Sequence, residues 1–233
     1  MAITVDIPAR LNTEPFLYSR LLTDSTVAYP LQDGEIVAQL RRSAPSPNPV
    51  YQWMTERARK ALPGVKRIGA ITLVPTAAVG FVAFTKKPDP GDTVTIGETT
   101  ITFVASSASG LNVAIGADLD ATMAGLAAAL SASTDPDIAA QTYTATDSRL
   151  DIVTKATGVS GNAVALATTA SGATASSASL GGGGLRLIMQ APQAHIRDLL
   201  GEYVYDVRFE DGSGPRKVLF GGACPFVNGV TRT

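Results

Sequence analysis

Residues 78–184 differ in composition from the rest of the chain, and this contrast limits the possible folds more than any other feature. The stretch is dominated by Ala, Gly, Ser and Thr, and its only aromatic residues are Phe81, Phe84, Phe103 and Tyr143. Four basic and nine acidic side chains give it a net charge of −5, whereas fifteen and eleven leave the remainder at +4. Composition and charge that change together at two positions are typical of an inserted module. We therefore predict a host domain of residues 1–77 and 185–233 and an inserted domain of residues 78–184.

The segments that flank this stretch indicate how the insertion is made. Residues 68–74 are rich in β-branched side chains, and Leu185, Leu187 and Met189 alternate at the period of a strand. The two segments are expected to be the arms of one β-hairpin. A hairpin tip tolerates an inserted domain because the inserted ends leave side by side and the core stays intact.

The host is predicted to consist of short strands. Residues 35–40 alternate apolar and polar side chains after an Asp-Gly turn, and residues 201–208 and 217–220 flank a second turn with the same signal. Residues 224–227 are expected to add a last strand that completes a meander. Short strands with Gly and Pro punctuation favour an antiparallel sandwich.

Two host segments are less regular. Residues 44–49 hold three prolines and predict a loop. Residues 50–62 place apolar side chains at helical spacing, although a strand near residues 50–54 fits the pattern as well.

The insert is predicted to be a small α+β domain. Asp118 and Asp120 lie where a helix N-terminus would favour negative charge, and the apolar stripe that follows predicts a helix over residues 118–131. The predicted strands are residues 81–85, 92–96, 99–104, 142–145 and 150–154.

The scarcity of reactive side chains limits the chemistry. His195 and Cys224 are the only histidine and cysteine, so a His/Cys metal cluster within one chain and an intrachain disulfide are excluded. Paired aspartates at residues 135–137 and 147–151 supply too few oxygens for calcium. No Gly-x-Ser-x-Gly motif accompanies His195, and no phosphate-binding loop occurs. We predict no enzyme activity, no cofactor and no metal.

Charge and hydropathy bear on partners and location. A net charge of −1 provides no field for nucleic acid, and no apolar run is long enough for a membrane span or a signal sequence. The sequence therefore predicts a soluble protein made in the cytoplasm, with neither nucleic acid nor membrane as a partner.

The first thirty residues form the candidate interface. They combine dense apolar side chains with three prolines and little regular period. One reading is an extended arm packed on its own sandwich, and the other is an arm that docks on a neighbouring subunit. The candidate interface residues are Phe16, Leu17, Tyr18, Leu21, Leu22 and Tyr29.

The insert resembles a module found in bacteriophage tail and other virion proteins. The residues that carry the resemblance are GDTVTIGETTITFVAS at 91–106, ADLDATMAGLAAALSAS at 117–133 and the Gly-x-x-Gly-Asn turn at 158–162. The pattern there is a Gly-Asp-Thr hairpin, an Ala-rich helix and a glycine turn. These are structural turns and core positions, so the resemblance implies no catalytic residue.

The host resembles the N-terminal, Ig-like sandwich of the phage baseplate upper protein group. The resemblance rests on residues 33–43 and above all on LLGEYVYDVRFEDGSGPRKVLFGGACPFVNGVTR at 199–232, which departs from the group at Cys224-Pro225-Phe226. It implies a mainly β chain: an Ig-like antiparallel β-sandwich interrupted by a small α+β domain.

Both resemblances imply a bacteriophage virion structural protein in the tail, the baseplate or a fibre attachment. It would be made in the bacterial host cytoplasm and bind other virion proteins in a symmetric assembly. One alternative is a capsid decoration or head-fibre protein. Another is a carbohydrate-binding module for a host-surface glycan, which the few aromatics of the insert disfavour.

Overall fold

The computed structural model of the chain describes residues 3–12, 14–22, 35–43, 49–56, 68–210 and 217–227, so the predicted loop at 44–49 lies almost entirely outside the described residues. The chain is mainly β, as its sequence predicted. The strands are β1 (Ile3–Thr4), β2 (Arg10–Leu11), β3 (Phe16–Leu22), β4 (Glu35–Arg41), β5 (Tyr51–Met54), β6 (Ile68–Phe84), β7 (Thr93–Ile96), β8 (Thr99–Val104), β9 (Asn112–Ala114), β10 (Gln141–Thr146), β11 (Arg149–Thr157), β12 (Leu166–Thr168), β13 (Ala173–Ala175), β14 (Gly184–Ala191), β15 (Val204–Glu210), β16 (Lys217–Ala223) and β17 (Phe226–Val227). The helices are α1 (Leu119–Ala132), α2 (Pro136–Ala139) and α3 (Gln193–Ile196), with a 3-10 turn at Val159–Ala163.

The chain divides into two compact units. Unit 1 comprises Met1–Val74 and Arg186–Thr233, and unit 2 comprises Pro75–Leu185. Strand β6 leaves unit 1 and continues into unit 2, and β14 begins in unit 2 and ends in unit 1. That unit 2 is a module inserted into a separate host stays a prediction.

Unit 1 is organised by a sheet with the strand order β1-β16-β15-β4-β5-β6, in which β14 also pairs with β6 and with β3. The predicted hairpin of β15 and β16 is present, and β4 pairs antiparallel with β15 along its whole length. Side chains alternate across these strands, so that Leu40, Tyr51 and Tyr205 share the face that packs into the core. The strand predicted at residues 35–40 is confirmed.

Of the two structures that the sequence left open for residues 50–54, the strand is present: β5 lies between β4 and β6, and all four of its side chains are buried. One local prediction in unit 1 needs correction. The last strand does not complete a meander. Strand β16 ends at Ala223, Pro225 lacks the N–H that a ladder needs, and β17 then pairs parallel with β2.

Parallel pairing is more common in unit 1 than the sequence predicted. Strand β1 pairs parallel with β16, β5 with β6, and β2 with β17. Two of these three pairs involve the N-terminal residues, whose strands add to the ends of a framework made by later parts of the chain.

The core of unit 1 is aromatic. Trp53 packs against Phe16 with ring centroids 4.9 Å apart and against Tyr51 at 4.7 Å. Gly69 lies against the same indole so closely that a Cβ there would overlap with Trp53 and with the carbonyl of Gln190. Other buried aromatic residues of the unit are Tyr18, Tyr203, Tyr205, Phe209, Phe220 and Phe226.

Unit 2 consists of two sheets and a helix. One sheet has the order β12-β7-β8-β9, and the other places β6 between β11 and β13, with β10 beyond β11. The predicted hairpins β7–β8 and β10–β11 and the predicted helix are all present. The α1 helix begins after Asp118, whose Oδ1 accepts from Ala121 N at 2.8 Å and so caps the first turn.

The core of unit 2 is aliphatic. Helix α1 contributes Met123, Leu126 and Leu130, which pack with side chains from both sheets. Phe84 and Phe103 form the one aromatic pair of this cluster, edge to face with centroids 6.0 Å apart. Five alanines lie at its periphery, together with Ile115, Leu119, Tyr143 and Val164.

Candidate interface surface

The described members of the predicted interface lie on strand β3 of unit 1. Phe16 and Tyr18 point into the unit's own core, where Phe16 packs on Trp53 and Tyr18 on Tyr205. Leu17 alternates with them and is exposed, and Leu21 and Leu22 are half-buried. Tyr29 lies outside the described residues. Of the described candidate interface residues, Leu17 is therefore the most exposed to a partner, with 53% of its surface accessible.

Leu17 lies on the rim of an open groove of about 570 Å3 in unit 1. The groove is formed where β3 begins, β6 begins and β14 ends, and its lining is mostly apolar. The lining residues are Pro15, Phe16, Leu17, Ile68, Gly69, Ala70, Gln190, Ala191 and Pro192.

A second apolar surface of unit 1 combines residues from both ends of the chain. Val227 pairs with Leu11 across β17 and β2, and Gly201 forms a bridge to Phe226, which places Leu200 opposite Val227. The three side chains follow one another on one face, with 39% of Leu11, 41% of Val227 and 50% of Leu200 exposed. We call these three residues the terminal-strand patch. Sequence reasoning missed it, because no local signal connects residues so distant along the chain.

Unit 2 exposes an apolar pair of its own. Val79 on β6 is the direct partner of Val153 on β11, and 52% and 36% of the two residues are exposed. Phe81 follows on the same outer face, where the Arg149 guanidinium lies 4.5 Å from its ring centroid. We call Val79 and Val153 the valine pair. Strand periodicity predicts an outward face here, but not that two valines lie side by side on it.

Both units combine cation–π contacts with a few ion pairs. In unit 1, Arg10, Arg20 and Arg42 lie over the rings of Phe16, Phe220 and Tyr203, and none forms an ion pair with a described carboxylate. In unit 2, ion pairs involve only Asp89, with Lys86, and Asp151, with Arg149. The other seven acidic residues of unit 2 form no ion pair with any described residue.

One ion-pair network lies within the sheet of unit 1. Asp206 Oδ2 accepts from Arg41 at 2.8 Å and from Arg208 at 2.6 Å. All three side chains are largely shielded from solvent, and they connect β4 to β15. The network therefore joins neighbouring strands, and the Asp206 carboxylate already pairs with two arginine side chains.

His195 lies in the short helix α3. Its Nδ1 is 3.0 Å from the hydroxyl of Tyr51, a residue that is itself buried beside Trp53. Asp198 pairs with Arg197 at 3.7 Å. The imidazole is thus held against a core tyrosine.

Cys224 is fully buried between β16 and β17. Burial raises the pKa of its thiol to about 12, against an opposing effect of the Arg10 charge. A thiol with so high a pKa is almost wholly protonated near neutral pH and is a poor nucleophile and metal ligand.

The paired aspartates of unit 2 serve as structural acceptors. Asp135 Oδ1 accepts from Thr99 Oγ1 at 2.7 Å and caps helix α2, and Asp137 Oδ2 accepts from Glu98 N at 2.7 Å. Burial, reinforced by the charges of these two aspartates, raises the pKa of Tyr143. The pair therefore connects α2 to the turn between β7 and β8. Within the described residues, no group of three or more His, Cys, Asp or Glu side chains is placed to hold a metal ion.

No family model matches the chain, and no curated protein matches it. In the described parts of the chain, no helix has the length and apolar character needed to cross a membrane.

Proposed function

We propose that the chain is a structural component of a bacteriophage particle, in its tail or baseplate, and that it acts by protein–protein contacts rather than by catalysis. In this proposal unit 1 is the Ig-like sandwich that attaches to the particle, and unit 2 is the inserted phage-tail-type module. The protein is made in the bacterial host cytoplasm and functions in the virion, with other virion proteins as partners and no cofactor.

The observation that carries the proposal is the role of the residues that resemble phage modules. Gly91 and Gly97 both have positive φ values, of 97° and 64°; Gly91 precedes β7, and Gly97 lies in the turn between β7 and β8. Asn162 closes the glycine turn, since its Nδ2 donates to Gly183 O at 2.9 Å and its Oδ1 accepts from Gly183 N at 2.8 Å. The motif residues thus stabilise turns and strand ends, as expected of a module whose motif residues have structural rather than catalytic roles.

The use of the reactive side chains supports the same proposal. Cys224 is buried and protonated, His195 is bound to Tyr51, and Asp135 and Asp137 hold a turn. These four groups are therefore engaged in holding the fold. The described surface also exposes apolar side chains and carboxylates without ion-pair partners, which are common at protein interfaces.

Quantitative mass spectrometry of gradient-purified particles, from the phage or prophage that encodes the chain, tests the proposal. We expect the chain to co-sediment with infectious particles in a fixed ratio to the major tail proteins. Its absence from purified particles would refute the proposal. Binding of the full chain to a glycan array, with no incorporation into particles, would favour the carbohydrate-binding alternative.

A further inference from the structure

Strand β10 of unit 2 has an open hydrogen-bonding edge. It is the last strand of its sheet, and β11 is its one partner among the described strands. Thr146 and Arg149 close the two-residue turn between the two strands, and Lys155 N donates to Ala140 O at 2.9 Å. Because hydrogen bonding alternates along an antiparallel pair, the even-numbered residues of β10 bond to β11. The odd-numbered residues therefore direct their N–H and C=O groups to the open edge, where no described backbone group bonds to them. These residues are Gln141, Tyr143 and Ala145.

The edge of β10 lacks the features that usually keep an exposed strand from pairing. Natural edge strands are short or bulged, or they carry lysine or proline. Strand β10 has six residues without a charge or a proline, and its register against β11 is uninterrupted. The other edge strands of unit 2, β9, β12 and β13, have three residues each. An unprotected edge of this length favours pairing with another strand.

The sequence of β10 is complementary to a second copy of itself. When a two-fold axis at Tyr143 relates two copies, Gln141 of one copy lies opposite Ala145 of the other, and the two Tyr143 residues face each other. All of these residues have outward N–H and C=O groups, so the contact gains about six hydrogen bonds. On the exposed face, Thr142 lies opposite Thr144, and threonine pairs across antiparallel strands are stabilising.

Charges at the two ends of β10 complement each other in this arrangement. The same two-fold axis places Asp147 of one copy opposite Ala139 of the other. The Ala139 carbonyl accepts from Lys155 Nζ at 2.7 Å, so the ammonium lies where the carboxylate of the second copy arrives. Neither Asp147 nor Lys155 forms an ion pair with any described residue. Two such pairs, one at each end of the contact, favour a second copy as the partner.

We infer that the chain forms a two-fold dimer in which the β10 strands of two copies pair antiparallel and extend one sheet across both. The contact joins the same surface of each copy, so association stops at the dimer. The net charge of −5 on unit 2 opposes contact between two such units, but screening limits the range of this effect to about 8 Å at physiological salt. The inference rests on the proposed function, for which it names one partner: a second copy of the chain.

Sedimentation velocity of the full chain at ~0.15 M salt, over roughly 5–500 μM, tests the inference. The average mass should rise with concentration to that of a dimer and no further. A chain that stays monomeric over this range, or one that assembles without a limit at the dimer, would overturn the inference.

Thr144→Lys tests whether β10 is the contact. Thr144 is exposed near the middle of the strand, and a lysine there should weaken dimerisation at least about tenfold. Thr100→Lys is the matched control, because it adds the same charge at an exposed position of β8, which lies between β7 and β9. It should dimerise like the parent chain. Both changes reduce the net charge of unit 2 by the same amount, so general repulsion cannot explain a difference. Equal dimerisation by the two variants, with circular dichroism showing both folded, would overturn the inference.

Charge reversal tests the register of the contact. Asp147→Lys or Lys155→Glu alone places like charges at both ends and should weaken the dimer about fivefold. The double variant, with both changes in one chain, restores opposite charges between the copies and should regain most of the affinity. Within one copy, Lys155 bonds to Ala140, which lies about seven strand residues or roughly 23 Å from Asp147, so the two changes cannot compensate each other there. A double variant that dimerises no better than the single variants would contradict the two-fold arrangement.

Particle incorporation is measured separately, so that the two proposals can fail independently. A chain that is monomeric but present in purified particles refutes this inference alone. A chain that forms the β10 dimer but is absent from particles refutes the proposed function.

Discussion

Unit 1 packs aromatic side chains where unit 2 packs aliphatic ones. Trp53, Phe16 and Phe226 belong to one connected group of rings in unit 1, whereas unit 2 has a single buried aromatic pair. The two units also differ in how far apart along the chain the partners of particular hydrogen bonds lie. Ala223 N donates to Asp6 Oδ1, 217 residues away along the chain, whereas α1 of unit 2 begins at a cap provided by the adjacent Asp118. Unit 1 therefore depends on the pairing of its N-terminal and C-terminal segments, whereas unit 2 combines local hairpins and a local helix cap with long-range pairs such as β6 with β13.

The exposed apolar surfaces of the two units differ as well. The terminal-strand patch of unit 1 depends on the pairing of residue 11 with residue 227. The valine pair of unit 2 lies on the outer face of the paired strands β6 and β11.

Removal of residues 1–30 should have the largest effect. The truncation deletes β1, β2 and β3, including Phe16 and Tyr18, which pack on Trp53 and Tyr205. We expect unit 1 to unfold while unit 2 keeps a cooperative transition. Trp53 is the only tryptophan, so its fluorescence reports on unit 1 alone. A truncated chain with native tryptophan emission would show that the N-terminal segment is not part of the core.

Phe103→Ala should damage unit 2 instead. Phe103 is fully buried and forms the unit's one aromatic pair with Phe84. Removal of a buried phenyl ring costs about 3–5 kcal/mol of the free energy of unfolding. Far-UV circular dichroism should show an earlier transition, while the tryptophan fluorescence midpoint changes little. Equal shifts in both signals would mean that the two units unfold as one.

High pH should weaken unit 1 through Cys224. Its pKa rises from 9.0 to about 12 on folding, so its contribution to stability is complete below pH 9 and is lost as the pH rises towards 12. Over that window the slope for one thiol is about 1.4 kcal/mol per pH unit. The comparison is with Cys224→Ala, which lacks this titration. We expect the difference in urea midpoint between the two proteins to shrink from pH 9 to pH 11, and a constant difference would contradict the burial of a protonated thiol.

The smallest effect is expected at the cap of α1. Asp118→Ala removes the acceptor for Ala121 N and should cost unit 2 about 1 kcal/mol. Asp118→Asn is the matched control, because it keeps the acceptor and should retain most of the stability. Thermal unfolding followed by circular dichroism distinguishes the two variants. An equal loss in both would assign the effect to the charge of Asp118 rather than to its hydrogen bond.

The same contrast explains what the sequence could predict. The β7–β8 hairpin, α1 and its cap were predictable because their signals are local: a glycine turn, an apolar stripe and an aspartate at the helix start. Strand β5 was ambiguous, since the spacing of Trp53 and its neighbours fits a helix as well as a strand, and only the position between β4 and β6 decides.

The candidate surfaces were predictable only in part. The apolar character of residues 16–18 marked a buried or docking segment, but their division into two core side chains and one exposed leucine depends on the pairing of β3 with β14. The terminal-strand patch depends on the pairing of residue 11 with residue 227, which no periodicity encodes.

A cryo-electron microscopy reconstruction of the purified particle tests the proposed structural role in the virion. We expect density for the chain at symmetry-related positions, with side chains of its apolar surfaces buried against neighbouring subunits. A particle in which all density is assigned to other proteins, with this chain confined to the soluble fraction of the lysate, would contradict a structural role in the virion.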